Sequence, residues 1–149
     1  MWNDKKSLVL TKICTVLFMA LLAACAVFAP RIVGIVTGSS VAANIAGKTK
    51  FLITIYTGCV PAAALLILLY ALLHRIGGGR VFVRENTECL RYISWCCFAG
   101  AAVCIASGLY YVPWFAVGVA AAFMGLIIRV LKNVVARAVS LQDDAEFTI

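Results

Sequence analysis

From Tyr92 to Ile128 the chain runs for 37 residues without one charged side chain. As a single α-helix this stretch would be about 55 Å long at 1.5 Å per residue, nearly twice the roughly 30 Å hydrocarbon thickness of a bilayer. It has to be two crossings joined by a turn. Tyr110, Tyr111, Val112, Pro113 and Trp114 stand near its middle. Proline interrupts a helix and aromatic rings favour the headgroup layer, so the chain is predicted to reverse there.

Two further apolar runs precede it. Ile13 to Pro30 carries no charge, with Lys12 able to extend to the headgroups, and Phe51 to Leu73 is uncharged between Lys48 and Lys50 on one side and His74 and Arg75 on the other. Spans are therefore predicted at about residues 11–30, 51–73, 92–109 and 114–135, with a loop at 74–91 and a tail at 136–149. Composition agrees, because 64% of the 149 residues are hydrophobic and only 13% charged, where a soluble chain approaches about a quarter charged. So small a chain cannot hide that much apolar surface in one core, and lipid must cover the rest. The same figures exclude a disordered tail, a disulfide-stapled secreted module and a large two-domain enzyme. The expected fold class is all-α: one polytopic membrane domain, 1–149, built as a four-helix bundle.

Charge sets the expected orientation. Lys5, Lys6 and Lys12 precede the first span, Arg75, Arg80, Arg84 and Arg91 lie between the second and third, and Arg129, Lys132 and Arg137 follow the start of the fourth. Only Arg31, Lys48 and Lys50 fall in the loop after the first span. The positive-inside rule then places both termini in the cytoplasm. The net charge of +7 is accounted for by attraction of anionic lipid to cations beside the membrane, so no direct nucleic-acid partner is expected. A rival reading takes Leu22-Ala23-Ala24-Cys25, after Lys5 and Lys6, as a lipoprotein signal with Cys25 as the lipidated residue; the apolar run continuing through Val27 and Phe28 favours an uncleaved span.

Side chains that carry chemistry are sparse. Cys14, Cys25, Cys59, Cys96, Cys97 and Cys104 fall in the spans and Cys89 in the loop, with no C-x-x-C pair. Adjacent Cys96 and Cys97 point about 100° apart on a helix, so they read as small hydrophobes rather than a thiol relay. His74 is the only histidine and no carboxylate lies in a span, so neither metal nor cofactor is expected. Thr54, Thr57, Ser94 and Ser107 read as residues back-bonding to their own helices, and no catalytic residue is assigned. Gly118, Ala122 and Gly125, with Gly100 and Gly108 opposite, read as close-packing positions, within the protein or in a homo-oligomer. Pro61 is expected to kink the second span.

What remains is the loop and the tail. Gly77-Gly78-Gly79 ends the second span as a turn or hinge and lacks the Lys-Ser/Thr of a phosphate loop. From about Arg84 the loop is expected to turn helical, with Glu88 pairing with Arg84 or Arg91, and Leu90 and Ile93 leading into the third span. Val130, Leu131, Val134, Val135, Ala138, Val139 and Leu141 extend a helical stripe beyond the fourth. The tail closes in Asp143-Asp144-Ala145-Glu146-Phe147-Thr148-Ile149, so acids gather beside a basic loop. That pairing points to an intramolecular clasp, a tail displayed for a partner, or a solvated terminus.

The stretch Gly79-Arg80-Val81-Phe82-Val83-Arg84-Glu85-Asn86 with Leu90-Arg91-Tyr92-Ile93, and the closing Leu141 to Ile149, resemble the YoaS-like bacterial membrane proteins of unknown function. Those are four-span proteins with a G-x-V-F-x-x-E-N-x-x-x-L-R-x-I loop and an E-x-D-L-T-I-like end. Where many relatives place Thr before the E-N pair, as a helix N-cap, this chain has Val83, and Glu146-Phe147 stands where Asp-Leu is usual. The resemblance implies a bacterial cytoplasmic membrane location, and members are often encoded beside a small Cro/C1-type helix-turn-helix regulator. It carries over no catalytic residue. The expectation is a non-enzymatic regulatory or scaffold protein whose cytoplasmic platform holds such a regulator through Arg80, Glu85, Asn86, Arg91, Asp143, Asp144 and Glu146. The alternative is a small-molecule or lipid transporter acting as a homo-oligomer, with a polar cavity near Thr54, Thr57 and Pro61.

Overall fold

The computed structural model describes residues 4–38 and 45–148, and within them the chain forms four helices: α1 Asp4–Gly38, α2 Ile45–Gly77, α3 Arg84–Ser107 and α4 Val112–Phe147. Each contains an apolar window long enough to cross a membrane. The helices outrun the apolar windows that define them. α1 continues past Pro30 and Arg31, α2 passes through Pro61 without a break, and α4 carries on to Phe147, so the predicted tail is helical almost to its end. Charged residues do not end a helix once it leaves hydrocarbon; only the lipid imposes the apolar rule.

The two described turns follow from local chemistry. Gly79 has φ +82°, its N–H donates to the Ile76 carbonyl at 3.1 Å, and the Arg80 N–H donates to the Arg75 carbonyl at 3.2 Å. This is a complete Schellman closure of α2, and of the three consecutive glycines only Gly79 occupies a conformation that a side chain resists. At the other end α3 closes at Ser107 and α4 begins at Val112 with Pro113 in its first turn, where the missing N–H would have had no helical partner. The reversal predicted near Pro113 is therefore formed by residues 108–111.

Each helix packs on its neighbour in sequence: α1 on α2, α2 on α3, α3 on α4. Among the described residues no other pair of helices comes into backbone proximity. The bundle is a folded row rather than a closed square. It exposes 10379 Å², against about 7,400 Å² for a compact soluble protein of this mass, and the excess includes Leu17, Phe18, Val27, Ile53, Val60, Phe123 and Val130. A surface of that kind is stable only against lipid.

Three contacts hold α2, α3 and α4 together. Leu72, Cys89, Leu90 and Ile93 form a buried cluster between α2 and α3, flanked by Leu65, Leu68 and Ile76 and by Ile128 and Val135 of α4. Between α3 and α4 the backbones approach closely. A Cβ added to Gly125 would lie 3.2 Å from Cys97 Cβ, and the Ser94 hydroxyl donates across to the Gly125 carbonyl at 3.1 Å. Of the proposed packing glycines, Gly108, Gly118 and Gly125 meet neighbours, whereas Gly100 faces open space. At the α3–α4 turn, the Thr54 hydroxyl is 2.8 Å from that of Ser107 and also bonds Tyr110. Phe51 stands edge-on to Tyr110 and Tyr111 at 5.3 and 5.2 Å. Back-bonding within one helix thus holds for Ser107, whose hydroxyl donates to Val103, while Thr54 and Ser94 reach across helices instead. An interhelical partner is favoured because hydrocarbon offers none.

Candidate functional site

The start of α1, the α2–α3 loop and the end of α4 share one end of the molecule. A Cβ at Gly77 would lie 3.2 Å from Lys12 Nζ, and Arg84 Nη2 is 3.6 Å from Asp143 Oδ2. Lys12 and Arg75 therefore lie at the last turn of α2, where cations complement the carbonyl end of a helix.

The loop at this end is pinned. Arg75 Nη1 donates to the Glu85 carbonyl and to Cys89 Sγ, both at 3.3 Å, tying the end of α2 to the first turns of α3. Asn86 has 2% of its surface exposed, and its Nδ2 donates to the carbonyls of Arg80 at 2.7 Å and Val81 at 2.9 Å. One side chain thus satisfies two turn carbonyls that α3 cannot serve, the role an amide performs best. Val83 is the N-cap of α3, in extended conformation at φ −125° and ψ 149°, and supplies no side-chain hydrogen bond. The Gly77–Gly79 segment is a hydrogen-bonded turn rather than a free hinge.

Between the first turns of α3 and the last turns of α4 lies a groove of about 430 Å³, lined by residues that include Arg84, Thr87, Glu88, Asp143, Asp144 and Phe147. Thr87 Oγ1 is buried without a hydrogen-bond partner. Arg84 spans to Asp143, while Glu88 pairs with Arg91 at 3.8 Å, so the basic loop does meet the acidic tail. The Arg84 and Asp143 side chains are 86% and 44% exposed, so the pair orients the tail and contributes little stability.

The structure distributes the sequence-predicted site residues unevenly. Arg84's partner Asp143 and its neighbour Asp144 line the groove; Glu85 is exposed in the first turn of α3; Glu146 is exposed on the last turn of α4; Arg80 is exposed on the loop. Asn86 is turned inward to the loop, and Arg91 lies further along α3 in a separate cleft with Arg129 and Lys132. Sequence reasoning left out Thr87, Ser140 and Phe147, which fall on the groove only because α4 remains helical and brings its final turns back over α3. Thr54, near which a transport pathway would need a polar cavity, is buried with its hydroxyl committed to Ser107 and Tyr110. The seven cysteines are all free thiols, and no cluster among the described residues could hold a metal.

Four apolar helices in a row, with polar loop and tail gathered at one end, define a multi-pass membrane protein. Residues 43–149 match the family described as a protein of unknown function (DUF2975), and the chain belongs to it. The matched region takes in α2, α3 and α4 with the groove between the last two, and begins after α1. No curated protein and no solved structure matches the chain.

Proposed function

We propose that this is a non-enzymatic, YoaS-like protein of the bacterial cytoplasmic membrane, both termini inside, whose α3–α4 groove holds a small transcription regulator of the helix-turn-helix type. The observation that carries the reading is the groove itself. In a chain of net charge +7, it gathers Glu88, Asp143 and Asp144 against the single cation Arg84, with an exposed phenyl ring, Phe147, at its edge. Acids around an apolar anchor complement the basic, partly apolar surface of a DNA-binding domain. The cationic flanks of the same end favour the cytoplasmic leaflet. In this arrangement Arg84, Glu85, Glu88, Asp143, Asp144 and Glu146 meet the partner, while Asn86 and Arg75 shape the loop from within.

The test is purification of the tagged, full-length protein from its own membranes in gentle detergent, with mass spectrometry of what accompanies it, followed by direct binding of the purified regulator. A stoichiometric helix-turn-helix protein, lost on Glu88→Gln, Asp143→Asn and Asp144→Asn together, is the expected result. Recovery of the membrane protein with lipid alone overturns the reading.

A further inference from the structure

Arginine is costly inside a membrane, and where a helix places it relative to the hydrocarbon edge reveals its use. Arg91 lies about 24 Å along α3 from Ser107, and Arg129 about 25 Å along α4 from Val112, at 1.5 Å per residue. Since α3 and α4 reverse between those two residues, both arginines sit at one depth, near the edge of a hydrocarbon layer of about 30 Å. Lys132 is one turn further out. The three cations line one cleft of about 70 Å³ together with Ser94 and Trp95. A water needs about 10–15 Å³ of such space, so the cleft has room for a phosphate group with some of its hydration.

Charge balance in the cleft is unfilled. Arg91 has Glu88 at 3.8 Å, but among the described residues neither Arg129 nor Lys132 has a carboxylate partner. Arg129 lies instead over the Trp95 ring, 5.9 Å from its centroid. An aromatic face orients a guanidinium without neutralising it, leaving the charge free for an anion. Trp95 is 57% exposed, at the level where indoles settle among headgroups. Ser94 donates to Gly125 and so fixes the floor where α3 and α4 touch.

We propose that Arg91, Arg129 and Lys132 form a binding site for the phosphate of an anionic phospholipid, its headgroup seated in the α3–α4 cleft and its chains descending beside Trp95. The chemistry shared with free phosphate is a tetrahedral oxyanion held by guanidinium and ammonium donors. Depth and the indole select the lipid. This site stands independently of the groove at the end of the same helices.

The full-length protein reconstituted in nanodiscs of phosphatidylcholine with a minority of phosphatidylglycerol tests the proposal, with co-purifying lipid quantified by native mass spectrometry. Phosphatidylglycerol is expected to be enriched about tenfold over the bulk composition, as a few interfacial cations partly offset by Glu88 would produce. Enrichment is expected to vanish in the Arg91→Gln, Arg129→Gln, Lys132→Gln variant. It is expected to persist in Lys5→Gln, Lys6→Gln, Arg137→Gln, which removes the same charge from the same end outside the cleft. Equal losses in the two triple variants, or no enrichment in the unaltered protein, overturn the site. Inorganic phosphate binding in pure phosphatidylcholine discs, abolished by the cleft variant while phosphatidylglycerol shows no enrichment, overturns the lipid assignment. Circular dichroism melting confirms that every variant compared is folded.

Discussion

Gly118 of α4 lies against Ile105 of α3 so closely that a Cβ on the glycine would stand 2.6 Å from Ile105 Cγ1 and 2.9 Å from its backbone nitrogen. A backbone atom cannot swing aside as a side-chain tip can. Gly118→Ala is therefore expected to destabilise the protein by about 1–3 kcal/mol, the usual cost of overpacking. Gly100→Ala, whose Cβ meets nothing, should be neutral or gain up to about 1 kcal/mol from helix propensity. Denaturation in detergent, followed by circular dichroism, separates the two.

The buried hydroxyls of Thr54 and Ser107 couple α2 to the far end of α3. A double-mutant cycle of Thr54→Val and Ser107→Ala is expected to give a coupling of about 0.6 kcal/mol, the average for interhelical hydrogen bonds in membranes, and no more than about 1.7 kcal/mol. A coupling indistinguishable from zero would mean the hydroxyls bond only within their own helices.

Asn86→Ala removes both donors from the carbonyls of Arg80 and Val81. Stability is expected to fall by about 1–3 kcal/mol, the cost of leaving such groups unpaired. Amide hydrogen exchange should rise first in residues 78–86, before any change in the spans. Uniform acceleration across all four helices would show that Asn86 supports the whole fold and not the loop.

Val83 has the extended backbone of an N-cap without an N-cap side chain. Val83→Ser is expected to stabilise α3 by about 1 kcal/mol and raise the melting temperature. An unchanged or lower melting temperature would show that the valine methyls contribute more than the missing hydrogen bond.

Much of this architecture can be read from residue patterns, because membranes impose rules with few solutions. The uncharged stretch from Tyr92 to Ile128 required a reversal, and it is found beside Pro113. Leu90 and Ile93, recognisable as an apolar pair leading into the third span, lie in the buried cluster. Side-chain partners were less legible. Asn86 belongs to a polar run that reads as surface, and only the path of the Gly79 turn brings two carbonyls to its amide. Gly100 and Gly118 look alike in sequence, yet Gly118 of α4 lies on the face of α3 that carries Ile105 and Ala101, while Gly100 points away from it into open space. Arg91 resembles another loop cation until Arg129, far away in the chain, is found lining the same cleft. Pairings set by the rotation of one helix against another leave no local trace.

The single-file order of the helices has a mechanical corollary. Among the described residues the backbone of α1 approaches only α2 and that of α4 only α3, so force applied at the α1 flank, by a thickening bilayer or a neighbouring protein, reaches the acidic tail chiefly in series, through the α2–α3 seam. The clasp of Arg75 on Glu85 and Cys89 sits on that route beside the apolar cluster of Leu72, Leu90 and Ile93, so loosening one guanidinium would soften the coupling of the two flanks while leaving every helix intact.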